Sequence, residues 1–355
     1  MGTHGKRRSP TVGAGLLALL VSVAVLSLAA CGGSSSTASN SPSAAPSEAA
    51  ASPSVAASPS ATPLPTPTVA GTIVFSRGGK RADGSDDTDI CVVSTDGTGL
   101  KVLARGKDGA AWPRCSPDGK RIVYERDKFG VNHQEVWVMN ADGSGKEQIT
   151  NDTDSPMTSR LPSWSPDGRQ IVFSSWLSDS PERAVVAVMN ADGSHFRKVT
   201  KPKGASVDYW PTWASDGRIY FYRIDTSGGV PYEYSVEPDG SALTRIMELG
   251  SYPQYLLYYG VSPDGRRVAL QDETADRLEV LPVGGGKAVT LLDPATDYLG
   301  DILAVVGWSP DQKALAIAGL FDNGGTRLYI VNADGTGLSA VPGIDAARDP
   351  AWRPE

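Results

Sequence analysis

The chain has 355 residues, with 33 lysines and arginines against 40 aspartates and glutamates, a net charge of −7, three cysteines and three histidines. No basic stripe runs along it, so nucleic acid is excluded as an expected partner. The histidines are too few and too scattered for histidine-based chemistry, while the length is ample for a buried core.

In chain order, the first feature is a leader. Lys6, Arg7 and Arg8 precede an apolar run over residues 11–28, and Leu28-Ala29-Ala30-Cys31 follows it. Small residues suit a signal-peptide cut, and a cysteine directly behind them resembles the lipobox of bacterial lipoproteins. The expectation is a signal peptide over residues 1–30 and a diacylglycerol on Cys31. The alternative is a single spanning anchor, for which the apolar run is nearly long enough. Residues 31–70 continue as Ser, Ala, Pro and Thr with Glu48 as their only charge. Such composition buries too little apolar surface to offset its ordering entropy and reads as a disordered, Pro-stiffened tether.

From residue 71 to 355 one unit of about 48 residues recurs, a period that signals a repeat architecture. Its first anchor is Trp164-Ser165-Pro166-Asp167-Gly168, with the matching aspartates Asp118, Asp216, Asp264 and Asp311. Its second is Asn190-Ala191-Asp192-Gly193, repeated around Asp142 and Asp334 and more loosely around Asp96 and Asp239. In the third unit, 162–164 predicts strand a, and Ser165–Gly168 a type I turn with Pro at its second position. Residues 170–174 alternate as strand b, 185–189 are dense in β-branched residues as strand c, and 197–200 form strand d after a second hairpin turn. Four antiparallel strands per repeat make a propeller blade. The domain begins with a strand b (Gly71-Thr72-Ile73-Val74-Phe75) and ends with a strand a (Asp349-Pro350-Ala351-Trp352). The fold class is therefore all-β, a six-bladed β-propeller whose first blade is closed by the C-terminal strand. Closure leaves no open edge.

The anchors Pro-x-Trp-Ser-Pro-Asp-Gly, Ile-Val-Phe and Asn-Ala-Asp-Gly, repeated over the whole domain, resemble the six-bladed propeller of the TolB family. That resemblance implies an extracytoplasmic protein–protein interaction module. TolB itself carries a further N-terminal α/β domain, where this chain has the leader and tether. The expected protein is a monomeric, membrane-anchored lipoprotein of the cell envelope that binds envelope proteins.

Tight turns a–b and c–d share one face of the ring, so the longer b–c and d–a connections share the other, where binding residues usually gather. The d–a segments reach the central channel at Trp112, Arg160, Asp208, Tyr209, Trp210, Tyr255, Tyr258, Asp301, Arg348 and Asp349. Aromatic and charged residues around one mouth suit a partner or, alternatively, a glycan or small ligand; packing of the channel entrance is the plainer reading. Asp83, Asp86, Asp87 and Asp89 offer oxygen ligands for calcium, but Ser94 stands where an EF-type loop places glutamate, and no metal or other cofactor is expected. The chain has no Gly-x-Ser-x-Gly elbow and no residues to spare for the hydrolase domain of prolyl-oligopeptidase relatives, so it is not expected to be an enzyme. Aligned by repeat, Cys91 and Cys115 occupy positions that elsewhere mostly hold large aromatics. In an oxidising compartment they are expected to form a disulfide joining blades 1 and 2.

Overall fold

The computed structural model describes residues 67–80, 86–105, 109–127, 134–150, 157–177, 180, 183–227, 231–248, 260–272, 277–293, 305–320 and 325–355. The leader, Cys31, most of the tether, Asp83, Tyr255, Tyr258 and Asp301 lie outside them, and of Asp86 only the backbone is included.

Within the described residues, 24 strands form six separate four-stranded antiparallel sheets. Blade 1 holds β1 (Thr72–Lys80), β2 (Asp86–Ser94) and β3 (Lys101–Ala104). Blade 2 holds β4 (Ala110–Cys115), β5 (Arg121–Asp127), β6 (Gln134–Asn140) and β7 (Glu147–Gln148). Blade 3 holds β8 (Met157–Trp164), β9 (Gln170–Leu177), β10 (Val185–Asn190) and β11 (Arg197–Lys198). Blade 4 holds β12 (Ser206–Trp213), β13 (Ile219–Asp225), β14 (Tyr232–Val236) and β15 (Thr244–Glu248). Blade 5 holds β16 (Gly260–Val261), β17 (Arg267–Asp272), β18 (Arg277–Pro282) and β19 (Val289–Leu292). Blade 6 holds β20 (Val305–Trp308), β21 (Ala314–Leu320), β22 (Thr326–Asn332) and β23 (Ser339–Asp345), and the last strand, β24 (Ala347–Arg353), returns to blade 1. There it pairs with β1, giving the sheet order β24-β1-β2-β3. Ile73 lies opposite Trp352, and Thr72 opposite both Arg353 and Ser94. The expected six blades and their closure by the C-terminal strand are both present.

A blade has neighbours on both faces, so its middle strands are buried on both and read as unbroken apolar runs. In β9, Ile171, Val172 and Phe173 are fully buried. Ile171 and Phe173 pack with Trp164 against Val123, Val136 and Val138 of blade 2, while Val172 turns the other way, toward Phe221 of blade 4.

The same alternation corrects the disulfide. Both thiols are free. Cys91 and Val93 face blade 6, packing with Ala316, Ile330 and Trp352, whereas Ile90 and Val92 face blade 2, in the cluster that holds Cys115 and Trp137. The two cysteines therefore lie on opposite sides of the blade 1 sheet, because successive residues of a strand point to opposite faces. Each sits beside a tryptophan of its own blade, one small side chain against one large. Burial pushes the Cys91 thiol up to about 11 and the Cys115 thiol up to about 12, so both remain protonated.

The turns repeat with little change. In Ser165–Gly168 the Ser165 hydroxyl donates to Asp167 Oδ1 (2.6 Å) and accepts from Gln170 N (2.9 Å), while Gly168 takes a φ of 68°. In every blade but the fifth, the glycine of the c–d turn lies against the end of the preceding blade. At Gly143 a Cβ would stand 2.8 Å from the Leu103 carbonyl oxygen, and at Gly193 2.4 Å from that of Ile149.

Candidate functional site

The first strand of each sheet is innermost, and these strands contact one another around the ring axis: β24 touches β4 and β20, and β8 touches β4 and β12. In four of them the ladder breaks at an X-Pro pair, as Trp112-Pro113, Leu161-Pro162, Trp210-Pro211 and Asp349-Pro350, where the partner strand has too few residues to match. The X residues have φ of 54°, 58°, 57° and 48°. Bulky residues avoid this left-handed region, and residues before proline are biased to extended backbone. Such strain persists only where surroundings enforce it. Here the freed N–H groups are captured: Leu161 N donates to Glu125 Oε1, Trp210 N to Ser174 Oγ (3.2 Å) and Trp112 N to Asp349 Oδ2 (3.4 Å).

The bulges gather much of the set expected from the sequence. Trp112 and Trp210 meet edge to face with ring centroids 5.2 Å apart, reaching from blade 2 to blade 4. Trp210 also lies against Tyr222 (5.7 Å), and Tyr209 against both Tyr222 (6.2 Å) and Trp176 (5.6 Å). Arg160 pairs with buried Glu125 through Nε–Oε2 at 3.0 Å. Asp349, 6% exposed, accepts from the Ser76 hydroxyl at 2.8 Å. Burial pushes the Glu125 carboxyl up to about 7 against the pull of Arg160, and raises that of Asp349.

Other expected residues stand apart. Asp208 is fully buried and holds Arg223 bidentately, Nε–Oδ1 at 2.6 Å and Nη2–Oδ2 at 2.8 Å, so it is closed within its blade. Arg348 is exposed. Tyr255, Tyr258 and Asp301 fall outside the described residues. Asp87 and Asp89 lie on β2, where Asp89 Oδ2 stands 3.9 Å from Arg105. Among the described residues no group of three or more His, Cys, Asp or Glu is placed to hold a metal ion.

Glu125, Arg114, Ser76, Tyr222 and Trp176 belong to the cluster and were not singled out from the sequence. Glu125 had a signal: it follows Ile122-Val123-Tyr124, whereas Ser76 and Ser174 follow Ile73-Val74-Phe75 and Ile171-Val172-Phe173. A carboxylate inside a buried strand, at the position that holds serine in blades 1 and 3, needs a specific partner.

Comparisons with known proteins bear on both fold and activity. TolB from Acinetobacter baumannii has a similar structure, with a TM-score of 0.60 at 20% identity over 80% of this chain and 67% of that one. Hydrazine synthase from Kuenenia stuttgartiensis also resembles it, with a TM-score of 0.56 at 15% identity over 81% of this chain and 47% of that one. At these identities the likeness is one of fold. Among curated proteins, the "uncharacterized peptidase YuxL" of Bacillus subtilis is 29% identical over 41% of this chain and 24% of its own length. Dipeptidyl-peptidase 5 of Porphyromonas endodontalis is 28% identical over 31% of this chain and 15% of its own. The matched stretch thus spans a quarter or less of either relative. These peptidase-named relatives overturn the expectation that the chain is not an enzyme: similar repeats occur within peptidase-named chains, and the lack of a nucleophile elbow in this sequence does not separate it from them. The family model for the TolB beta propeller domain matches residues 71–355, and the chain belongs to that family.

Proposed function

We propose that the protein is an extracytoplasmic interaction module, held at a bacterial membrane by a lipid on Cys31, which contacts envelope proteins through the channel mouth around Trp112, Trp210, Arg160 and Asp349. The observation that carries this reading is the Trp112–Trp210 contact. Two large aromatics fixed on strained, hydrogen-bonded bulges are anchors that lose little entropy on binding, and tryptophan, tyrosine and arginine are the residues most enriched at interface hot spots. Crosslinking of the native protein on cells tests it. Trp112→Ala with Trp210→Ala is expected to lower partner capture at least about tenfold, as loss of two hot-spot residues would, and Cys31→Ala to release the protein from membranes. Undiminished capture by the double variant, or a thermal shift with soluble glycans in place of protein capture, would count against it.

The peptidase-named relatives favour a second reading, in which the propeller serves proteolysis as part of, or partner to, a peptidase. Hydrolysis of a peptide library by the purified chain, alone and with its captured partners, distinguishes the two.

A further inference from the structure

Arg114 lies on β4, two residues beyond the bulge residue Trp112, and is half-buried. Among the described residues its one side-chain hydrogen bond goes to the carbonyl oxygen of its own neighbour, Pro113 (2.9 Å). Of the carboxylates that act on it, Glu125 is already paired with Arg160. Asp349 is near enough to act on Arg114 electrostatically, yet among the described residues the two form no ion pair. The bonds to Asp349 from Ser76 and Trp112 both end on Oδ2. Two residues along β4 from Trp112 the ring therefore presents a guanidinium fork and, apart from it, the second oxygen of a carboxylate. A charge taken from water without a partner is costly, and burial lowers the pKa of Arg114 even with Asp349 opposing it.

Resting on the interaction reading above, we propose that Arg114 receives the C-terminal carboxylate of a partner chain, while Asp349 accepts the N–H of that chain's last residue. The fork of arginine matches a carboxylate bidentately. The carboxylates of Asp349 and Glu125 disfavour a doubly charged phosphate in the same place. A chain terminus carries its last amide N–H beside the carboxylate, as Asp349 requires, and acetate has none.

The test is a titration of the full chain with N-acetyl-dialanine, its C-terminal amide, acetate and inorganic phosphate, followed by tryptophan fluorescence and calorimetry. The free-acid peptide is expected to bind saturably, the amide at least about tenfold more weakly for want of the buried charge pair, and acetate and phosphate more weakly as well, the one lacking the amide N–H and the other repelled by the two carboxylates. Arg114→Met is expected to abolish binding, and Arg114→Lys, which keeps the charge without the fork, to retain a weaker fraction; thermal melts report whether each variant folds. Equal binding of acid and amide, tighter binding of phosphate, no saturable binding of the peptide, or unchanged affinity in Arg114→Lys overturns the inference. Crosslinked partners that persist in Arg114→Met would overturn the carboxylate site while leaving the interaction role standing. Loss of capture in the tryptophan double variant alone bears on that role instead.

Discussion

Glu125 has a folded-state pKa of about 7 against an ordinary 4.5, so the folded chain holds this proton more tightly than the unfolded chain. The stability it contributes is complete below 4.5 and is lost as pH rises toward 7. Glu125→Gln keeps an oxygen for Leu161 N–H and removes the titration. Melting temperature across that window should fall for the unaltered chain and stay flatter for the variant. The turn aspartates act in the opposite sense. Asp118, Asp167 and Asp311 are held below 3.8, first by the serine hydroxyl two residues earlier, so their contribution is present above that value and fades as pH falls through it. The cysteines give a second check. Alkylation of the denatured, unreduced chain should label Cys91 and Cys115 completely, and the native chain should resist. At this scale the repeat showed which positions carry large side chains but not which interface each one fills. Cys91 and Cys115 align with aromatics at two different strand positions of the repeat, and only the period-2 alternation around β2 shows that a sheet stands between them.

Strands and turns were legible to different degrees. The Ser-Pro-Asp-Gly and Asn-Ala-Asp-Gly hairpins follow from residue chemistry, and the expected a, b, c and d strands of the third blade fall within or beside β8 to β11. Strand d is shorter than expected because Thr200 leaves the ladder to cap it, its Oγ1 accepting from Val186 N at 2.9 Å. The bulges were hidden for a physical reason: a residue before proline is biased to extended backbone, so nothing local announces a left-handed tryptophan. Tertiary capture of its N–H overrides that bias. The c–d turns yield a paired prediction. Gly143→Ala combines a φ of 89° with a Cβ 2.8 Å from a backbone oxygen of the neighbouring blade, and should cost at least about 2 kcal/mol. Gly284→Ala in blade 5, with a φ of 92° and nothing within 4 Å, should cost only about 1 kcal/mol of backbone strain. Denaturant midpoints of the two variants decide it, and equal losses would show that the contact between blades is not what the glycine serves.

For the whole molecule, the complementary strand fragments at the two ends of the repeat region foretold the ring, because neither fragment can complete a sheet alone. Removing residues 347–355 withdraws β24 from β1 and takes Trp352 out of the seam between blades 6 and 1. Loss of a single sharp melting transition is the expected result, and a truncated chain melting like the full one would contradict it. The same register settles a question of presentation. Because β1 starts at Thr72, opposite Ser94 and Arg353, the chain enters the ring on the side of the tight hairpins. The polypeptide's direction of entry thus tells the two sides of the disc apart: the tight a–b and c–d hairpins share the side of entry, and the b–c and d–a connections lie on the other.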